Sequence, residues 1–129
     1  MSVEEWVPSD KIDVNLEKLK QYVEFFATAD PADLGASLAD ENIAADRTLM
    51  QRQAIDWQIA DQLTDTELIS LIRFFTLAEM QLPGWDGGRQ SPVIYLVKIL
   101  RGRSGFDSEL RKWIKANTDN RYLPNGAVL

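Results

Sequence analysis

The residues best placed to do chemistry in this sequence lie in a glycine-rich stretch, residues 82–92. Gly84, Gly87 and Gly88 come shortly before Arg89 and Ser91. Closely spaced glycines let backbone N–H groups converge on one point, an arginine adds positive charge, and the start of a helix attracts anions. The stretch therefore contains the parts of an anion-binding site.

Other features of the same stretch oppose a phosphate-binding loop. The glycine spacing is not that of a Walker motif, no lysine precedes Ser91, and no strand is predicted before the loop. Asp86 would also repel a phosphate. The alternative is a turn between two helices, in which glycines allow positive φ and Trp85 fills the core. Trp85, Arg89 and Ser91 are the candidate binding residues, for a partner or for an anion.

Arg73 and Glu79 are the only charged residues between Leu68 and Trp85. On so apolar a helix a charged side chain must be paired or reach the rim. They are six residues apart and do not face each other, so we expect Glu79 to meet Arg89 or a backbone N–H group of the loop. The functional alternative for Glu79 is a carboxyl group with a raised pKa in a cleft. Both residues stay candidate binding residues.

The sequence contains neither histidine nor cysteine, which limits the catalytic chemistry open to it. Serine–histidine and cysteine–histidine catalysis are excluded within this chain, and the commonest transition-metal ligand is missing. No Asp-x-Asp-x-Asp-Gly calcium loop occurs. We therefore predict no metal site and no cofactor. An enzyme would need Glu79, Arg73, Tyr95 or Lys98 to converge in one pocket, and the sequence favours a non-catalytic protein.

The segment 98–121 carries seven basic and three acidic residues, with Trp113 among them. It is the one stretch that resembles a nucleic-acid footprint. The alternative is a solvated basic face, with Trp113 in the core in phase with Phe106 and Leu110. The net charge of −6 disfavours general nucleic-acid binding, because phosphates would be repelled.

The elements that must position these residues are all predicted to be helices. Apolar spacing and capping signals predict them over residues 13–28, 31–40, 43–63, 65–81 and 92–101, and from Asp107 onward. The clearest signals are the capping box of Thr64 and Glu67 and the serine–proline start at Ser91. A strand is the alternative for residues 93–100, which are rich in β-branched side chains.

Helices 65–81 and 92–101 are apolar nearly all round, so we expect them to form the buried centre of the fold, joined by the glycine-rich loop. An irregular arm is predicted for residues 1–11, with Trp6 docked on the core, and a turn-rich tail for residues 117–129. The prediction is an all-α fold, one domain over residues 1–129 with five to six helices.

Composition and charge complete the functional prediction. The chain of 129 residues is 45% hydrophobic and 26% charged, as globular proteins are. Its start, Met1 to Trp6, does not resemble a signal peptide, and no run approaches the ~18 apolar residues of a membrane span. We therefore predict a cytoplasmic protein that does not contact membranes.

Acidic residues are concentrated in the first half of the chain. Residues 1–65 hold 14 acidic and 5 basic residues, and residues 66–129 hold 6 and 9. The halves could pack and compensate, or the first could form an acidic face for a partner. We predict a non-catalytic binding or accessory protein that contacts a protein partner or a second copy through the loop and Trp85. The alternative is anion or nucleic-acid binding through loop 84–91 and segment 98–121.

Overall fold

Five α-helices and four 3₁₀-helices follow one another along residues 14–126, the part of the chain that the computed structural model describes. The α-helices are α1 (Leu16–Thr28), α2 (Asp40–Asp46), α3 (Asp65–Gln81), α4 (Pro92–Gly102) and α5 (Ser108–Ala116). The 3₁₀-helices are Leu34–Ala36, Arg47–Gln51, Ala54–Gln62 and Gly88–Gln90. No strand occurs in this range, so the predicted all-α class is confirmed. The predicted arm 1–11 with Trp6, and residues 127–129, lie outside the described residues.

Helices α3 and α4 form the centre of the molecule, as predicted. They make the most extensive contact between any two elements described, and α1 also packs against α3. Aromatic rings fill the space between α1 and α3: the ring of Tyr22 stacks on Phe74 with 4.6 Å between centroids. The buried apolar side chains of α3 and α4 are Leu68, Leu71, Ile72, Phe74, Phe75, Ala78, Val93, Leu96, Val97 and Leu100. No helix in residues 14–126 is long and apolar enough to cross a membrane.

The predicted caps explain where the last three α-helices begin. Thr64 Oγ1 accepts from the backbone N–H of Glu67 at 3.1 Å, and the Glu67 carboxylate accepts from the N–H of Thr64 at 2.9 Å. Ser91 Oγ accepts from the N–H of Val93 at 3.2 Å, with Pro92 in the first helical position. Asp107 accepts from the N–H of Leu110 at 2.8 Å. Each side chain satisfies a donor that the first turn leaves unpaired.

Helix α1 begins at Leu16, later than the predicted residue 13, because Asn15 is the N-cap and accepts from the N–H of Lys18 at 2.8 Å. A polar contact ties this helix to α2. The Tyr22 hydroxyl and Lys18 Nζ both donate to the Asp46 carboxylate, which is buried. Burial and the neighbouring carboxylate raise the pKa of Tyr22.

The predicted helix 31–40 is wrong, because a tertiary contact holds this segment in another conformation. The Asp30 side chain accepts from the N–H of Ala32, and one 3₁₀ turn, Leu34–Ala36, follows. The side-chain amide of Gln81 accepts from the N–H of Leu34 and donates to the carbonyl of Pro31, both at 2.8 Å. Helix α2 starts only at Asp40.

The predicted helix 43–63 is also wrong: it is divided into α2 and two 3₁₀-helices, Arg47–Gln51 and Ala54–Gln62. The buried residues of the last element are Trp57, Ala60 and, at its end, Leu63. They recur every three residues, which places them on one line of a 3₁₀-helix with three residues per turn. An α-helix with 3.6 residues per turn was predicted instead. Ile55 lies off this line and is 66% exposed.

Candidate functional site

Three segments meet around the carboxylate of Glu79: the end of α3, the α3–α4 loop (residues 82–91) and the C-terminal tail (residues 117–126). The backbone N–H of Gly87 donates to Glu79 Oε1 at 3.0 Å, and the Ser91 hydroxyl donates to Oε2. Asn120 Nδ2 donates to Glu79 Oε1 at 3.2 Å and to the carbonyl of Gly88 at 2.9 Å. The expected contact between Glu79 and a backbone N–H of the loop is therefore present.

Burial raises the pKa of Glu79, and the negative charge of Asp86 acts in the same direction. The hydrogen bonds from Ser91, Gly87 and Asn120 oppose this but do not cancel it, so the pKa lies above its ordinary value. A raised pKa often marks a functional carboxyl group. Here the protein itself already occupies the carboxylate oxygens. Two donors that an anion would use in the loop, the N–H of Gly87 and the hydroxyl of Ser91, are bound to Glu79 as well.

The loop glycines serve close packing and turning. A Cβ on Gly87 would lie 2.8 Å from the Cα of Ser91 and 3.2 Å from the carbonyl oxygen of Met50. Gly84 has a φ of +81° and Gly88 one of +57°, in the region that glycine adopts without strain. Both features favour the interpretation of this stretch as a turn between two helices over that of an anion-binding loop.

Trp85 lies in the core, which corrects its predicted place on a contact surface. Its side chain has 0% exposure, and its Nε1–H donates to the carbonyl of Ile43 at 2.8 Å. Its ring stacks on Phe75 with 6.4 Å between centroids. Ser91 is buried too, with its hydroxyl bound to Glu79. Neither side chain is accessible to a partner in this structure, because each satisfies an internal hydrogen bond.

Arg89 and Arg73 are both exposed, and neither contacts Glu79. Arg89 makes no ion pair with another residue of the described range 14–126. The guanidinium of Arg73 lies over the ring of Trp113, 5.5 Å from its centroid, a cation–π arrangement. The five candidate binding residues therefore divide into an internal group (Glu79, Trp85, Ser91) and two separate surface arginines.

Beside the Glu79 network lies an open cavity of about 330 Å³, which we name the pole groove. It is lined by Glu79, Met80, Asp86, Gly88, Asp119, Asn120, Arg121 and Tyr122. Met80 is 48% exposed, and its Sδ accepts from the N–H of Asp119 at 3.4 Å. Sequence reasoning missed Met80 because it counted as one more apolar residue of a buried helix. Nothing in the turn-rich tail distinguished Asn120.

The side chains that an enzyme would need do not converge. Tyr95 and Lys98 line a different groove, with Trp57, while Glu79 lies at the pole groove and Arg73 on Trp113. Within residues 14–126 no group of three or more acidic, histidine or cysteine side chains could hold a metal ion.

In the basic segment 98–121, Arg103 is half-buried and binds several acceptors, while the other cations are exposed; of these, Arg101 donates to Asn125 Oδ1 at 3.4 Å. Arg103 Nη1 donates to the carbonyl of Leu63 at 2.7 Å and to Asp65 Oδ1 at 3.0 Å, and Nη2 donates to Asp61. The exposed members are Lys98, Arg101, Arg111, Lys112, Lys115 and Arg121.

Comparisons of this chain with protein-family models, with curated proteins and with solved structures gave no match.

Proposed function

We propose that this chain is a non-catalytic binding protein that acts through protein–protein contact at the pole groove. The observation that carries the proposal is the exposure of Met80. Within residues 14–126 only Ile55 and Met80 are large hydrophobic side chains that are exposed. Met80 extends from the most deeply buried helix of the fold, at the point where α3, the loop and the tail meet.

The residues around Met80 are of the types that protein interfaces favour. Tyrosine, methionine and arginine are enriched in interfaces, and Tyr122 and Arg121 line the groove with Met80. Arg89 follows Gly88 directly and is exposed. Methionine also adapts its shape to the partner. The expected partner is a protein segment that inserts an apolar side chain between Met80 and Tyr122.

The Glu79 network supports a binding role over a catalytic one. Its three donors hold the loop and the tail in fixed positions relative to α3. A groove with such fixed walls loses little entropy when a partner binds. The same bonds occupy three of the roughly four lone-pair sites of the one buried carboxylate in the groove, so its main role is to hold the walls together.

The test compares Met80→Gln with a matched control, Ile55→Gln, which also makes an exposed large hydrophobic residue polar. Proteins captured from cells of the source by each variant are compared, and the affinity of the recovered partner is then measured by calorimetry with purified proteins. Met80→Gln is expected to weaken binding about tenfold or more, or about 1.4 kcal/mol. Ile55→Gln is expected to leave the affinity unchanged. Self-association is measured on the same variants by sedimentation velocity.

Two outcomes would overturn this proposal. One is equal affinity of wild type and Met80→Gln for every recovered partner and for a second copy of the chain. The other favours anion or nucleic-acid binding: a polyanion binds with steep salt dependence, and replacing Arg111, Lys112 and Lys115 by glutamine abolishes binding while Met80→Gln does not.

A further inference from the structure

A second groove lies between α4 and the long 3₁₀-helix, Ala54–Gln62, and we name it the α4 groove. Tyr95, Lys98 and Ile99 form its first wall; they are spaced i, i+3 and i+4 and so share one face of α4. Ala54, Trp57 and Gln58 form the opposite wall. Its volume is about 320 Å³, at the lower end of the ~300–1,000 Å³ typical of small-molecule sites.

One wall residue, Trp57, carries a buried donor without an acceptor. Its side chain has 0% exposure, and its ring packs edge-on against Phe75, 5.6 Å between centroids. Its Nε1–H makes no hydrogen bond with any residue of the described range. The other fully buried tryptophan, Trp85, donates to a backbone carbonyl. Buried polar groups are nearly always hydrogen-bonded, so the Trp57 N–H requires an acceptor that residues 14–126 do not supply.

The remaining polar groups of the groove also favour an occupant that supplies acceptors and negative charge. Lys98 is exposed and makes no ion pair within residues 14–126, and Tyr95 offers a hydroxyl. No aspartate or glutamate lines the groove. A lysine and a tryptophan N–H are donors only, so the walls present more donors than acceptors.

Apart from Gln58, the rest of the lining is apolar, and this excludes a small inorganic anion as the best fit. Ala54 and Ile99 present accessible carbon surface to the groove, and a bound phosphate or sulfate would leave this surface in contact with water. We propose that the α4 groove binds a small organic carboxylate. Its apolar body packs against these carbon surfaces, and its carboxylate accepts from Lys98 and from the Trp57 N–H. This site is separate from the pole groove and does not depend on the function proposed there.

The test uses butyrate, octanoate and 4-phenylbutyrate, each beside its uncharged amide. Binding is followed by nuclear magnetic resonance on the indole N–H signal of Trp57, which Trp57→Phe removes from the spectrum. If that variant fails to fold, the Overhauser contact of Trp57 with Phe75 assigns the signal instead. At least one carboxylate is expected to shift this signal saturably, and its amide to bind about tenfold more weakly, as loss of one charge-assisted hydrogen bond implies.

Variants of surface lysines test the charge requirement without disturbing the core. Lys98→Gln is expected to weaken the carboxylate about tenfold, whereas Lys112→Gln, an exposed lysine on α5, is expected to leave its affinity unchanged. Met80→Gln is expected to have no effect either, since Met80 lies in the other groove. The proposal is overturned if no carboxylate shifts the Trp57 signal saturably, if amides bind equally well, or if Lys98→Gln binds like wild type.

Discussion

At the scale of single residues, Glu79 joins parts of the chain that are far apart in sequence. Its carboxylate accepts hydrogen bonds from Gly87 and Ser91 in the loop and from Asn120 in the tail. The side chain is only 8% exposed. Removing it would leave three buried or half-buried donors without an acceptor, and the desolvation cost of such donors exceeds the worth of an ordinary hydrogen bond.

Truncation and isosteric replacement of Glu79 should therefore differ. Glu79→Ala is expected to lower the free energy of unfolding at pH 7 by about 2–4 kcal/mol, because donors are left unpaired and a cavity forms. Glu79→Gln retains one acceptor oxygen for Gly87 and Asn120, and is expected to cost about 1 kcal/mol. Urea denaturation measures both. Glu109→Ala, on the exposed face of α5, serves as the control within about 0.5 kcal/mol of wild type. Equal losses for the two Glu79 variants would contradict this role.

The raised pKa of Glu79 predicts a specific dependence of stability on pH. Between the unfolded pKa of glutamate, about 4.3, and the higher folded value, the folded state binds more protons than the unfolded state. The contribution of Glu79 to the free energy of unfolding therefore falls as pH rises through this window and is constant above it. Glutamine does not titrate, so Glu79→Gln lacks this pH-dependent contribution. Unfolding free energies are measured from pH 4 to 8. The value for the wild type minus that for Glu79→Gln should decrease as pH rises. If this difference stays constant or increases, the pKa of Glu79 is not raised in the folded state.

Two glycines with different surroundings should respond in opposite directions to alanine. Gly87→Ala places a Cβ 2.8 Å from the Cα of Ser91, and is expected to destabilise the fold by about 1–3 kcal/mol through backbone displacement. Gly102 ends α4 with nothing within 4 Å of an added Cβ. Gly102→Ala is expected to stabilise by about 0.4–1 kcal/mol, because the unfolded chain loses freedom. Thermal unfolding of the two variants checks the sign, and a stabilising Gly87→Ala would show that the loop has room.

At the scale of elements, the sequence predicts best where a local signal determines the structure. The caps Thr64, Ser91 and Asp107 act within three residues of their own helix starts, and α3, α4 and α5 begin there as predicted. The segment from Asp30 to Leu63 depends on distant partners instead. Gln81 holds Pro31 and Leu34 from α3, and a hydropathy pattern contains no sign of such a contact.

In the candidate site, too, the features that depend on nearby residues could be predicted, and those that depend on distant residues could not. A charged residue on an apolar helix must find a partner, so Glu79 and its contact with the loop could be predicted. The sequence left the direction of Trp85 open between the core and a contact surface, because it depends on the carbonyl of Ile43, 42 residues earlier. The α4 groove could not be predicted either. One of its walls belongs to the segment Ala54–Gln62, and the sequence pattern did not indicate that this segment is a 3₁₀-helix.

Arg103 is expected to hold the end of the long 3₁₀-helix against the start of α3. Its guanidinium binds the carbonyls of Asp61 and Leu63 and the carboxylate of Asp65. A lysine has the charge but not the planar fork that serves several acceptors at once. Arg103→Lys should therefore lower the urea midpoint, while Arg101→Lys, at an exposed position, should not. If the two lysine variants have the same midpoint, the charge of Arg103 suffices and its fork geometry does not matter.

At the scale of the whole molecule, contacts across the chain join its acidic and basic halves. Arg103 pairs with Asp61 and Asp65 of the first half, which supports the interpretation that the halves partly compensate. Within the first half, Lys18 pairs with Asp46 and Arg52 with Asp56. Acidic residues that remain exposed there include Asp30, Asp33, Asp40 and Glu41.

The C-terminal tail should unfold together with the helices, because its anchors lie inside the structure. Leu123 is 1% exposed and belongs to the same core as α3 and α4, and Asn120 binds Glu79 and Gly88. Leu123→Ala is expected to lower the free energy of unfolding by about 2–5 kcal/mol, the usual cost of such a truncation in a core.

Two optical probes then distinguish a cooperative tail from an independent one. Far-ultraviolet circular dichroism reports the helices and the near-ultraviolet signal reports the packed aromatic rings. In a two-state unfolding both transitions coincide, so Leu123→Ala should shift both urea midpoints equally. Arg121→Ala, an exposed tail residue, is the control with unchanged midpoints. If Leu123→Ala left both midpoints in place, the tail would be a separate unit, and the pole groove would lose the fixed wall on which the proposed protein binding depends.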